Sequence, residues 1–248
     1  MASCTDTTGR SVNGFAFWHD GTHVATVSSD RTARVWDIAT RRELSEVKGH
    51  ARGAVAIDVA ADGTLVTGGY DGTVRRWSAD GAEIGRIKVG ARAVALAAHP
   101  SAPWLAVSAG GAEVRIVDLD GAAIEQLGTD DVASSIRWSP DGSSLVAGTC
   151  VGIHVWGAEA WDPVRRIPLD RADASVVPTA ISSDGALLAA GWAHHVGVWR
   201  ADADGSIATF GGLPKGVYGL AFAPDASTLA QCGADGIVRM WRVDRRGA

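Results

Sequence analysis

The residue types able to do chemistry in this chain are few and scattered. Of seven histidines, only His194 and His195 adjoin. Neighbours on an extended strand point to opposite faces, so the two would share a metal only from a bent loop; a solvated pair is the simpler expectation. Asp130 and Asp131 are adjacent carboxylates at a loop position, where surface charge is expected rather than an acid–base couple. Cys4, Cys150 and Cys232 lie far apart with no CxxC or Cys/His spacing. That pattern gives free thiols, not a disulfide framework or a structural metal. No phosphate-binding loop, dinucleotide fingerprint, nucleophile elbow or HExxH motif occurs. The expectation is therefore no catalytic residue, no cofactor and no metal. What does recur is an Asp followed six positions later by a Trp, in SDRTARVWD (29–37) and YDGTVRRW (70–77).

The elements that carry this pair repeat along the chain. Six strand-ending positions, Trp36, Trp77, Val117, Trp156, Trp199 and Trp241, are spaced by 39 to 43 residues. A second marker, the turn at Asp20, Asp62, Ser101, Asp141, Asp184 and Asp225, keeps the same spacing. Asp-Gly between apolar runs signals a hairpin, because Gly readily takes φ > 0. Each unit offers three apolar, β-branched runs, and the first five add a fourth, more polar one, such as RELSEV (42–47) or AEIGRI (82–87). A lone four-stranded sheet of this size cannot bury both faces, whereas sheets stacked around an axis can. The fold class expected is all-β: a β-propeller of about six four-stranded blades, forming a single domain over residues 1–248.

The totals agree. The 248 residues are 46% hydrophobic and 21% charged, as in a soluble globular protein. A net charge of −5 argues against bulk binding to nucleic acid. MASCTDTTGRSV lacks the apolar stretch of a signal peptide, and no run reaches the roughly 18 apolar residues of a membrane span. A cytoplasmic protein with no membrane or nucleic-acid partner is expected. Ten Trp beside two Tyr and four Phe fit an architecture that reuses one Trp per unit.

These residues resemble the WD-repeat family of β-propellers over about residues 10–244. Trp36-Asp37 is the family's dipeptide, and Gly49-His50 matches the Gly-His that opens a repeat. The resemblance implies a buried set of His, Ser or Thr, Asp and Trp that fixes the turn before the Trp strand. Unit two carries all four as His50, Thr67, Asp71 and Trp77. Unit one has Thr26, Asp30 and Trp36, with Thr8 at the His place. Unit six keeps Asp235 and Trp241, with Gln231 at the Thr place. Units three to five put Gly111, Cys150 and Ala193 where the Asp belongs, and are expected to rest on apolar packing alone. The last unit lacks a fourth strand within the sequence that follows Trp241, and residues 2–8 are the only candidates for it. Either a six-bladed ring closes with a poor clasp, or the chain is part of a longer propeller.

In this family one face gathers the loops that open each repeat. Aligning units on their turn Asp puts Arg10, Arg52 and Lys215 at equivalent places, with Arg92 one place away. Units four and five hold Asp131 and Ala174 there, beside Asp130 and Asp173. The expectation is a basic arc that docks an acidic segment of a protein partner, with Tyr70 and Trp192 as aromatic anchors. The function that follows is a non-catalytic protein-interaction scaffold. The alternative is a propeller enzyme or small-ligand binder using the central channel, where Asp58 is the lone acidic residue of the inner runs. Self-association through an open propeller edge is a further expectation. The Ala-, Gly- and Asp-rich composition resembles bacterial sequences of high-GC origin.

Overall fold

The β-branched runs between Asp-Gly turns form strands at every expected place. A computed structural model describes residues 11–18, 20–90, 92–169, 176–203, 205–213 and 216–244. The fold is all β, a β-propeller of six blades, and the chain divides into two compact units of three blades each, over residues 2–128 and 129–248.

In the first unit, blade one is β1 (Val12–Phe17), β2 (His23–Ser28), β3 (Thr32–Asp37) and β4 (Glu43–Lys48). Blade two is β5 (Ala54–Val59), β6 (Leu65–Gly69), β7 (Thr73–Trp77) and β8 (Glu83–Lys88), and blade three is β9 (Ala95–Ala98), β10 (Trp104–Ser108), β11 (Glu113–Asp118) and β12 (Ala123–Gly128). In the second unit, blade four is β13 (Ser135–Trp138), β14 (Ser144–Thr149), β15 (Gly152–Gly157) and β16 (Pro163–Pro168). Blade five is β17 (Thr179–Ile181), β18 (Leu187–Trp192), β19 (His195–Arg200) and β20 (Ser206–Phe210). Blade six has three strands among the described residues, β21 (Val217–Phe222), β22 (Thr228–Gly233) and β23 (Val238–Arg242). Among the described residues no fourth strand pairs with β23. Residues 2–8, the candidates for that strand, lie outside the described residues.

Every blade is an antiparallel meander. In all five outer pairs the register shifts at the Trp position, between Val35 and Trp36, Arg76 and Trp77, Ile116 and Val117, Val155 and Trp156, and Val198 and Trp199. A bulge at that point bends the outer strand and increases its twist. The core lies between blades rather than within one. Blades one and two share a cluster that includes Val27, Ile57, Leu65 and Trp77. Blades two and three share Val66, Val74, Leu96 and Leu105. In the second unit, Ile153, Val177, Leu188 and Trp199 join blades four and five, and Val198, Val217, Leu229 and Val243 join five and six.

Three of these seams also carry a polar stitch near the inner strands. Asn13 Nδ2 donates to the Ala54 carbonyl at 2.8 Å, and Asp58 Oδ2 accepts from the Ala98 amide at 2.9 Å. In the second unit Ser135 Oγ donates to the Val177 carbonyl at 2.6 Å and lies 3.0 Å from Thr179 Oγ1. Asp58, the acidic exception in the inner runs, is thus a tie between blades two and three.

Candidate partner-binding site

Blade two contains the full buried set that the sequence pattern implies. Trp77 Nε1 donates to Thr67 Oγ1 at 2.8 Å, and Thr67 Oγ1 lies 2.8 Å from His50 Nε2. His50 Nδ1 faces both oxygens of Asp71 at 3.1 Å. With a carboxylate beside Nδ1, the proton belongs there, so Nε2 accepts the Thr67 hydroxyl. The chain of donors therefore runs from Trp77 through Thr67 and His50 to Asp71. Asp71 also accepts from Thr73 Oγ1 at 2.7 Å and from the Ala51 amide at 2.8 Å. Burial pushes its pKa up, but the bonds from Thr73, Ala51 and His50 outweigh that and bring it down to about 2. Burial holds the His50 pKa below its ordinary value, so the imidazole stays neutral. A neutral His bonded on both ring nitrogens is a spacer, not a general base.

This set positions the loops above it. Asp71 holds the amide of Ala51, which directly precedes Arg52. The Tyr70 amide donates to the Gly53 carbonyl at 3.0 Å, and the Ala93 amide to the Gly69 carbonyl at 3.1 Å. Three loops are thereby fixed to one another: the opening of blade two, its turn before β7, and the opening of blade three. They enclose an open hollow of about 580 Å³ lined by Arg52, Tyr70, Asp71 and Arg92. Arg92 lies over the Tyr70 ring, 5.2 Å from its centroid, a cation–π geometry. Tyr70 is 41% exposed. Both guanidinium groups are exposed, whereas Asp71 is buried beneath them with its oxygens already bonded. The rim is positive, with an aromatic surface at its centre.

Of the other expected contact residues, Arg10 and Lys215 lie outside the described residues, as do Asp173 and Ala174. Trp192, in the second unit, is half-buried. Its ring stacks on His195 with centroids 5.8 Å apart and leans on Trp199 at the same distance. Gly197 is the reason these rings fit, since a Cβ there would collide with both Trp199 and Trp192. Much of Trp192 therefore serves packing between blades four and five.

The partial sets behave as their substitutions dictate. In blade one, Trp36 Nε1 donates to Thr26 Oγ1 at 3.0 Å, and Asp30 binds Thr32 and, at 2.9 Å, Arg34. Thr8 lies outside the described residues. In blade six, Asp235 pairs with Arg239 at 2.7 Å. Gln231 does not replace Thr there: Trp241 Nε1 and Gln231 Oε1 are buried without a hydrogen-bond partner among the described residues.

Blade four corrects the expectation of apolar packing alone. Cys150, at the Asp place, donates through Sγ to Asp131 Oδ2 at 2.9 Å. The turn and the opening loop are still tied, with donor and acceptor exchanged. Asp130 binds Arg166 Nε at 2.6 Å and lies 3.3 Å from His154 Nε2. The adjacent carboxylates are structural ties as well as surface charge. An Asp in the opening loop opposite a Cys in the turn was the signal available in the sequence. His194 and His195 are exposed, and among the described residues no group of three or more His, Cys, Asp or Glu is placed to hold a metal ion.

A family model, WD domain, G-beta repeat, matches residues 2–37, 41–78 and 204–242. The chain carries WD repeats in these three stretches. The three matched stretches hold the repeats that keep both the Asp and the Trp. A small ribosomal subunit protein, RACK1y of Oryza sativa subsp. japonica, is 31% identical over 141 residues, covering 52% of this WD-repeat chain and 42% of the rice protein. The chain thus aligns with less than half the length of that curated relative. Among the described residues no helix is long and apolar enough to cross a membrane.

Proposed function

We propose that this WD-repeat chain is a non-catalytic, cytoplasmic scaffold whose opening-loop face docks an acidic segment of a protein partner. The observation that carries the reading is the Arg52–Tyr70–Arg92 hollow. Two exposed guanidinium groups flank an aromatic ring, on loops that backbone hydrogen bonds hold rigid. Arginine and tyrosine on a pre-ordered scaffold are what a binding anchor needs, because little conformational freedom is lost on docking. Guanidinium forks pair with carboxylates in two parallel bonds. Arg10, Lys215 and Trp192 extend the proposed contact set at corresponding places in other blades. A single domain over residues 1–248 and the high-GC bacterial character of the composition complete the reading. The likeness to the rice protein supports interaction rather than turnover as the role of the fold.

Reversing two charges tests this. Arg52→Glu with Arg92→Glu, compared with wild type in parallel affinity capture from the native cell, is expected to lose its principal partner. Retention of the same partner set at the same yield would contradict the proposal.

Self-association is a second reading, favoured by apolar exposure at the ends of the described blades. In the first unit Phe15 and Phe17 are 66% and 55% exposed. In the second unit Tyr218, Val238 and Met240 are more than 60% exposed, and among the described residues β23 pairs only with β22. Met240→Lys with Val238→Lys is expected to lower any oligomer seen by sedimentation to a monomer; an unchanged oligomer would remove this reading.

A further inference from the structure

Three large side chains fill the seams between neighbouring blades on the side of the Asp-Gly turns. Between blades one and two, Trp18, two residues before the turn Asp, packs against the shared core and donates to the Gly63 carbonyl at 3.3 Å. Between blades two and three, Arg76, one residue before the strand-ending Trp, reaches Asp62 at 2.7 Å and the Leu119 carbonyl at 3.4 Å. Leu119 itself, two residues past its strand-ending position, packs into that seam.

Between blades four and five, all three corresponding places hold small residues. Ser139 stands where blade one has Trp18, Val155 where blade two has Arg76, and Ala201 where blade three has Leu119. The seam is left open as a hollow of about 430 Å³ lined by these three residues. Its floor is apolar: Val146 and Leu188 are buried, and Val155 and Ile181 are only partly covered. Arg165 crosses the rim to the Arg200 carbonyl at 2.7 Å, and Arg200 Nε is engaged by Asp202 at 3.2 Å. Asp141 and Asp184 add two more carboxylates to the lining. Val164, 62% exposed, carries the apolar surface outward from the hollow.

From this missing plug we infer a second binding site, in which the seam between blades four and five takes one large apolar side chain of a partner peptide, with a Lys or Arg beside it. The size falls within the range of sites that enclose a ligand. The apolar floor selects a Leu, Phe or Trp side chain, whose burial drives binding. Arg200 and Asp202 offset each other, which leaves Asp141 and Asp184 against Arg165 and favours a cationic flank. The site lies on different loops from the Arg52–Tyr70–Arg92 hollow and prefers the opposite charge.

The test uses synthetic peptides Lys-Ala-Xaa-Ala-Lys, with Xaa as Ala, Leu, Phe or Trp, titrated into the ¹⁵N-labelled full chain. Saturable shifts of the Val155, Ile181 and Ala201 amides are expected with Leu, Phe and Trp and not with Ala. Glu-flanked versions are expected to bind at least tenfold more weakly. Ala201→Leu restores the plug of blade three and is expected to abolish the shifts while leaving the remaining amide spectrum in place. Arg52→Glu is expected to leave them unchanged, which separates this site from the acidic-segment site. Peptides that give no saturable shift at these residues, or that bind Ala201→Leu as tightly as wild type, would overturn the inference. Equal binding of the Xaa series, or of Lys- and Glu-flanked peptides, would overturn it as well.

Discussion

Thr67 is the hinge of the buried set, because its single hydroxyl serves two neighbours. It accepts from Trp77 Nε1 and donates to His50 Nε2, each at 2.8 Å. Valine has the same shape without the hydroxyl, so Thr67→Val leaves both partners buried and unpaired. The expected cost is about 1–3 kcal/mol, read as a lower midpoint in urea unfolding. Gly69 faces the same set from the backbone. A Cβ there would overlap the His50 ring and press on Asp71 Oδ1. Gly69→Ala is therefore expected to destabilise by about 1–3 kcal/mol, as overpacking does. It should also weaken partner binding, since the Ala93 amide that steadies the Arg92 loop bonds the Gly69 carbonyl. A variant with unchanged stability would show that the set does not fix this turn.

At the scale of the blade, pH acts on blade two through its buried set. The Asp71 carboxyl titrates at about 2 in the folded chain, below its ordinary 3.8. Its contribution to stability is present above about pH 4 and is lost as pH falls toward 2. His50 is held below its ordinary 6.5 by burial. The unfolded chain therefore takes up a proton that the folded blade resists, and a further loss begins as pH drops through 6.5. Amide exchange of β6 and β7 is expected to accelerate from pH 6.5 downward, after correction for intrinsic rates. A flat profile between pH 7 and 4 would contradict this. Near neutral pH the same measurement is expected to show blades three and five exchanging faster than blade two, since Gly111 and Ala193 provide no turn carboxylate.

The strands of these blades were legible because two markers, the turn Asp and the strand-ending Trp, repeat at one spacing. The bulge at each Trp position and the Asp58 stitch were not, since both depend on a neighbouring strand rather than on local pattern. Cys150 shows a different limit. It reads as a lost Asp until Asp131 is seen across the loop. Trp192 reads as a free anchor until Gly197 lets its ring pack inward.

At the scale of the whole molecule, the repeat spreads two kinds of feature over many blades: small residues that let sheets stack, and loops that carry charge outward. The Arg52–Tyr70–Arg92 hollow joins them, because the buried set that stabilises blade two also holds the loop bearing Arg52. Structure and recognition would then be coupled, and Asp71→Asn, a change in the buried floor of the hollow, is expected to weaken docking with Arg52, Tyr70 and Arg92 intact. The most direct measurement is calorimetric titration of a Glu-rich peptide containing one Phe into the full chain at two salt concentrations. Binding is expected to weaken several-fold at the higher salt, as exposed charges are screened, and to be lost in the Arg52→Glu, Arg92→Glu chain. Equal affinity in the two chains, or binding that ignores salt, would contradict the claim that this face recognises an acidic partner.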